Sequence, residues 1–363
     1  MSLFETMYKK ALKPVLFRFD PESVHNVFVS VGEKFGNSSA GQRLISSMYG
    51  YDGPDISKTV DGITYQTPLL LAAGFDYNAR LTRILKSVGF GGVEVGSVTA
   101  YPSEGNEPPR LRRAVESKSL VVYKGLKNEG VDSVIERLQQ RGSQEGLVVG
   151  ISIAMTNAES SATLEGAVDD YRTSFQKLNE AGVGDYYTIN ISCPNVYGGE
   201  SFTDPERLET LLGELGEVAC SVPRYAKMPI NIEWEQFQKL LDILQSHDFD
   251  GVIIGNLQKD YDKLDVRDEA PEQYRGGLSG RPCREESTEL IRKTRRHCGS
   301  DLTIMGCGGV MSVDDAIEKM DAGADLIQLI SGMIFEGPHL MSDIAQAIAD
   351  RQRGDASDGG DDK

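Results

Sequence analysis

The sequence predicts an α/β fold, a (β/α)8 TIM barrel carrying a small N-terminal helical extension. Three observations predict it. Short apolar runs recur at residues 68–73, 92–98, 147–153, 186–192, 225–231, 251–255, 302–306 and 325–330; amphipathic stretches separate most of them; and small, polar or ionisable residues follow nearly every run. About eight strand-then-helix units are what a closed parallel barrel requires. The runs are largely apolar and do not strictly alternate, as expected of strands covered on both faces. A doubly wound open sheet is the competing architecture, but it normally places a GxGxxG turn after the first strand, and none is present. At 363 residues the chain suits one barrel, and the predicted divisions are an extension over 1–50, a barrel over 51–350 and an acidic tail over 351–363 too polar to pack.

The extension reads as helical. Leu3, Phe4, Met7, Tyr8 and Leu12 fall near helical spacing among Lys9, Lys10 and Lys13, and Pro14 is expected to limit that helix. Asp20-Pro21-Glu22 is a helix start, with Asp20 as N-cap and proline at the first helical position, and Val24, Val27, Phe28 and Val31 mark the apolar side. A polar stretch containing Gly and Ser follows over 36–42. Within the barrel, helices are predicted at 79–88, 167–181, 205–218, 235–246, 286–296 and 313–322.

Composition narrows the function. The formal net charge of −17 argues against nucleic acid, because phosphate-backbone binding needs clustered Lys and Arg. A small anionic ligand stays open, since a site can differ in sign from the surface. Cys193, Cys220, Cys283, Cys298 and Cys307 form no CxxC pair and are odd in number, so neither a zinc cage nor a disulfide framework is suggested, and a reducing cytosol is expected. No run approaches the roughly 20 apolar residues of a membrane span, and no signal-peptide pattern opens the chain. His25, His247, His297 and His339 all lie away from the strand ends, which argues against a histidine triad and a metal site.

Chemistry in such a barrel belongs at the C-terminal ends of the strands. Three glycine clusters, Gly276-Gly277-Leu278-Ser279-Gly280, Gly306-Cys307-Gly308-Gly309 and Ser331-Gly332, sit in or near the last loops. Any one could be a tight turn; three together point to a phosphate cradle. Lys227 closes an apolar run, where a lysine is costly to bury unless paired; a snorkelling side chain is the plainer alternative. Asn190, Asn195 and Asn256 offer donor and acceptor together, suiting a planar imide or a carboxylate, though turns use asparagine too. Cys193 stands between the first two. A thiol of unperturbed pKa about 8.5 can serve as a base, although most cysteines are inert and buried.

These segments resemble the dihydroorotate dehydrogenases, FMN enzymes of pyrimidine synthesis. The resemblance spans nearly the whole chain and is strongest in Asn190-Ile191-Ser192-Cys193-Pro194-Asn195, Gly277-Leu278-Ser279-Gly280-Arg281-Pro282 and Gly306-Cys307-Gly308-Gly309. It implies FMN contacts at Ala73, Gly74, Ser97, Asn190, Lys227, Gly280, Gly309 and Ser331, with Ser152, Gly255 and Ile330 completing the set. It makes Cys193 the base that takes the C5 proton of dihydroorotate, and Asn190, Asn195 and Asn256 substrate contacts, joined by Tyr77 and Lys124. The helical preface is similar to that of the membrane-associated, quinone-reducing class, implying a quinone acceptor and peripheral contact with the inner face of the cell membrane. A cysteine base is the habit of the soluble classes, so the chain mixes features. Tyr77 stands where the family has a substrate lysine, Val122 where it has an asparagine, and Ser152, Gly255 and Leu257 replace polar residues. Lys124 or Lys127 is expected to compensate. The alternatives are a diverged FMN oxidoreductase for another dihydropyrimidine or an enoate-like ring, and a non-catalytic flavin-binding homologue.

Overall fold

Apolar runs that must be covered on both faces close on themselves. In a computed structural model, which describes residues 3–142, 146–192, 202–268 and 276–358, β3 (Leu69–Leu71), β4 (Gly92–Val98), β7 (Val148–Ile153), β8 (Tyr186–Asn190), β9 (Arg224–Met228), β10 (Gly251–Ile254), β12 (Thr303–Cys307) and β13 (Leu326–Leu329) form a closed parallel barrel in that order. These are the eight predicted strands, with ends that differ from the prediction by at most three residues. The residues at and just beyond their C-terminal ends form the mouth. Below it the interior is filled by Leu70, Val148, Tyr186, Tyr225, Ile253, Met305 and Leu326, and the hairpin of β1 (Lys58–Val60) and β2 (Ile63–Tyr65) contributes Val60 and Tyr65 to the same cluster.

The predicted helices between strands appear as α6 (Leu164–Ala181), α7 (Pro205–Gly216), α8 (Trp234–Ser246), α9 (Arg284–Cys298) and α10 (Val313–Asp321). Helix α5 (Val131–Arg141), outside the predicted set, buries Val131, Val134 and Leu138. Residues 79–88 are not a helix. The Asp76 carboxylate accepts from the backbone N–H groups of Arg80 and Leu81, both at 2.8 Å, and Ala79 has φ +58°, so only a 3-10 turn at Leu85–Val88 survives.

In the extension, α1 (Leu3–Met7) continues through a π turn (Tyr8–Leu12) into α2 (Lys13–Leu16), past the proline expected to stop it. The widened turn, in which Lys13 N–H reaches Tyr8 O, precedes Pro14 and eases the clash its ring would make one turn back. Asp20 caps α3 (Pro21–Gly36), its carboxylate accepting from Ser23 N at 2.7 Å. The polar stretch over 36–42 is not a loop throughout: α4 (Ser39–Tyr49) starts inside it, capped by Ser38. Tyr8 OH donates to Ile334 O at 2.5 Å and Lys13 Nζ to Phe335 O at 2.9 Å, docking the first helix on α11 (Ser331–Glu336) at the barrel mouth. Finally α12 (His339–Asp358) enters the predicted unstructured tail. Its buried Leu340, Met341, Ile344, Ala345, Ile348 and Ala349 anchor the helix, and extending an established helix costs little.

Candidate active site

Two adjoining cavities open at the mouth. The larger, about 290 Å³, runs from the strand ends to the N-terminal helices. Ala73, Gly74, Ser97, Asn190, Lys227, Asn256, Ile330 and Ser331 line its floor; Tyr77 and Lys124 stand at its side; and Tyr8, Leu16, Phe17, Val24 and Phe28 wall its outer half. The smaller, about 90 Å³, lies under the last loops and is lined by Gly255, Ser279, Gly280, Gly308, Gly309, Ser331 and Gly332, with Lys227 again at its edge. Ser152 lines neither; its Oγ sits 2.8 Å from Ser97 Oγ and braces that residue from behind. Cys193 and Asn195 lie outside the described residues.

The strand ends are tied together. Asn190 Nδ2 donates to Ser97 Oγ at 2.9 Å, and its backbone oxygen accepts from Tyr171 OH at 2.6 Å. Asn256 Nδ2 donates to Ser192 Oγ at 2.6 Å, and Ser279 Oγ sits 2.8 Å from Ser331 Oγ. These bonds fix side chains contributed by separate strands and loops, the rigidity a binding constellation needs.

Electrostatics are the informative feature. Among the described residues lining the two cavities there is no Asp or Glu, whereas Arg113, Lys124, Lys127 and Lys227 are all present. In a chain of net charge −17 that is a local reversal of sign. Lys227 is 6% exposed, and its Nζ has no hydrogen-bond partner among the described residues. In the smaller cavity, Gly280 (φ +74°) and Gly309 (φ +77°) take left-handed conformations, and a Cβ there would meet Lys118 O at 2.2 Å and Arg284 at 2.5 Å. Glycine is required for the backbone to pass so closely. The donor set of hydroxyls, backbone N–H groups and an unpaired ammonium suits a phosphate and an anionic ring.

A family model described as dihydroorotate dehydrogenase matches residues 55–351. The chain belongs to the dihydroorotate dehydrogenase family. A protein of Christiangramia forsetii named dihydroorotate dehydrogenase (quinone) is 34% identical over 351 residues, covering 95% of this chain and 99% of its own. One of Delftia acidovorans with the same name is 35% identical, covering 93% and 97%. A crystal structure of DHODH from Eimeria tenella in complex with ferulenol superposes with a TM-score of 0.79 at 24% identity, covering 93% of each chain, a likeness of fold.

The side of the cavity at Tyr77 is held by aromatic and ionic contacts. Tyr77 packs against His25 with the rings tilted by 42° and their centroids 5.2 Å apart, and Lys124 Nζ lies 5.2 Å from the Tyr77 ring centroid. Lys124 is nearly buried and pairs with Glu22 Oε1 at 2.8 Å; Arg110 reaches the same oxygen at 3.3 Å. Burial lowers the Lys124 ammonium from its usual range despite Glu22, while burial raises the Glu22 carboxyl less than Lys124 and Arg110 lower it. His25 enters from α3, where no strand-end rule would seek it. Its Nε2 lies 2.7 Å from Phe75 O, an acceptor, so this nitrogen carries a proton, and burial lowers the ring's pKa from its ordinary value.

Sequence reasoning also missed an outer sheet. Strands β5 (Leu111–Ala114), β6 (Ser119–Val122) and β11 (Gly277–Leu278) pair antiparallel outside the barrel, and they bring Leu111, Leu120 and Val122 to the cavity wall. The short Ser119-Leu120-Val121-Val122 run is the signal that could have located it. Among the described residues, no group of three or more His, Cys, Asp or Glu could hold a metal ion, and no helix is long and apolar enough to cross a membrane.

Proposed function

We propose that this chain oxidises dihydroorotate to orotate in de novo pyrimidine (UMP) biosynthesis with FMN as cofactor, passing electrons to quinone. The observation that carries it is the acid-free cavity lined by four cations in an otherwise acidic protein. Both the phosphate and the substrate carboxylate are anions, and a low-dielectric site strengthens each pairing. The family membership and the quinone-linked names of its relatives support the same reading.

In this reading Gly280, Gly309, Ser279 and Ser331 hold the flavin phosphate, while Ala73, Gly74, Ser97, Asn190, Gly255 and Ile330 border the ring and Ser152 steadies Ser97. Bound FMN supplies a two-electron acceptor for the hydride that leaves C6 of the substrate. Lys227 presents a positive charge to that acceptor. Asn190, Asn195 and Asn256 orient the pyrimidine ring with their paired donors and acceptors. Cys193 takes the C5 proton as thiolate. Lys124, freed from Glu22, meets the substrate carboxylate, and Tyr77 packs beside it. Quinone reaches the mouth along the apolar half of the cavity, between the first helix and α3. Met7, Val15 and Phe19 are 55%, 52% and 61% exposed, a face suited to peripheral contact with the inner face of the cell membrane.

Anaerobic titration of the FMN-loaded protein with dihydroorotate tests the proposal through loss of flavin absorbance. Bleaching at millimolar substrate or below is expected; none would sink it. The apolar Val122 and Leu257 in the cavity favour one second reading, a flavin oxidoreductase for another dihydropyrimidine. In that case a ring lacking the carboxylate bleaches the flavin where dihydroorotate does not. Steady-state assays with ubiquinone, menaquinone, fumarate and NAD identify the acceptor.

A further inference from the structure

Beneath the mouth, the barrel interior holds a carboxylate that the reaction does not use. Glu94, on β4, is fully buried. Its Oε2 accepts from Gln328 Nε2 at 2.9 Å, Thr188 Oγ1 at 3.3 Å and Tyr186 OH at 3.4 Å. Its Oε1 has no hydrogen-bond partner. Strand register puts Lys227 one layer above: Thr188 lies two residues before Asn190 on β8, and Asn190 is the register partner of Lys227 on β9. Lys227 is 6% exposed and lines both mouth cavities, and its Nζ has no hydrogen bond among the described residues. Each of two buried ionisable groups therefore lacks what the other would supply.

An isolated charge of either sign is expensive in a packed barrel, and an opposite charge nearby offsets much of that cost. We propose that Glu94 and Lys227 act as a charge-neutral couple across adjacent layers of the barrel, outside direct ion-pair contact, with Glu94 a positioning residue that holds the Lys227 ammonium at the floor of the mouth and tempers its charge. The last clause rests on the flavin reading above; the pair itself does not. The other ionisable neighbours stay neutral: burial raises the Tyr186 hydroxyl and the Cys307 thiol. Burial also raises the Glu94 carboxyl, and Lys227 is the largest influence holding it down.

Two measurements test this. The first is thermal unfolding of the apoprotein as E94Q, K227M and the double variant. A charge pair makes each single loss leave an uncompensated charge, so the double variant should unfold at a higher temperature than either single one. A double variant no more stable than the singles overturns the pair, and this holds whether or not flavin binds. The second is the midpoint potential of bound FMN. With its counter-charge removed, Lys227 should favour the anionic reduced form, so E94Q should retain stoichiometric FMN and shift the potential positively. At least tenfold in the equilibrium is expected, about 30 mV for a two-electron couple. Gln328→Met, which removes the 2.9 Å donor to Glu94, should give a smaller shift of the same sign. An unchanged potential in both variants overturns the tempering role.

Discussion

Lys124 carries a positive charge at the Tyr77 side of the cavity, and it is held in reserve by Glu22 at 2.8 Å. A charge-assisted hydrogen bond to a carboxylate contributes roughly 1.5–3 kcal/mol. Lys124→Ala should therefore raise the KM for dihydroorotate by about 10- to 150-fold while changing kcat less. An unchanged KM in the Lys124→Ala/Lys127→Ala double variant would remove both lysines from substrate binding. At Cys193 the expected pattern is the opposite: Cys193→Ala should lower kcat by about 10²- to 10⁴-fold, the usual range for loss of general-base assistance, with FMN content unchanged. Full activity in that variant would assign the base elsewhere. Cys193, Lys227 and the asparagines stood out in the sequence because polar residues at the ends of apolar runs have few structural reasons to be there. His25 and Glu22 did not, because nothing in a local pattern shows that α3 delivers them to a strand end.

Between elements, the contact of α9 with α10 contains a buried lysine. Lys319 is fully buried and donates to Ser287 Oγ at 2.8 Å and Thr288 Oγ1 at 2.9 Å. Burial pulls its ammonium down from 10.5 to about 8. A folded-state pKa depressed in this way contributes stability that is present above about 10.5 and lost as pH falls through about 8. The shift corresponds to about 3 kcal/mol. Wild-type Tm should therefore rise between pH 8 and 10 relative to Lys319→Met, which lacks the group; parallel profiles would contradict the burial argument. The helices themselves were legible where apolar spacing met a cap, as at Asp20 and at α6, α7 and α10, and at α8 and α9 from apolar spacing alone. Residues 79–88 misled because their helical spacing is overridden by the Asp76 carboxylate, which captures the N–H groups of Arg80 and Leu81.

For the molecule as a whole, the extension and the barrel build one cavity, polar at the strand ends and apolar toward the surface. Replacing exposed Met7, Val15 and Phe19 by Ser should lower partition onto anionic vesicles at least about tenfold, since each apolar side chain buried contributes roughly 1.5–3 kcal/mol. Quinone reduction should fall with it, while flavin bleaching by dihydroorotate persists. Equal vesicle binding by the variant would separate these residues from the membrane.

The sequence by itself determined the barrel, the order of its strands and the end at which chemistry sits. Eight apolar runs with small or polar residues after them leave few other ways to satisfy backbone hydrogen bonds and bury both faces of a sheet. Only the tertiary structure decided what surrounds the mouth. The pairing of Lys124 with Glu22, the entry of His25, the outer sheet carrying Val122 and the layer that sets Glu94 beneath Lys227 all join residues far apart in the chain. Their contact depends on barrel closure and strand register, which bring distant positions together without leaving a local pattern to read.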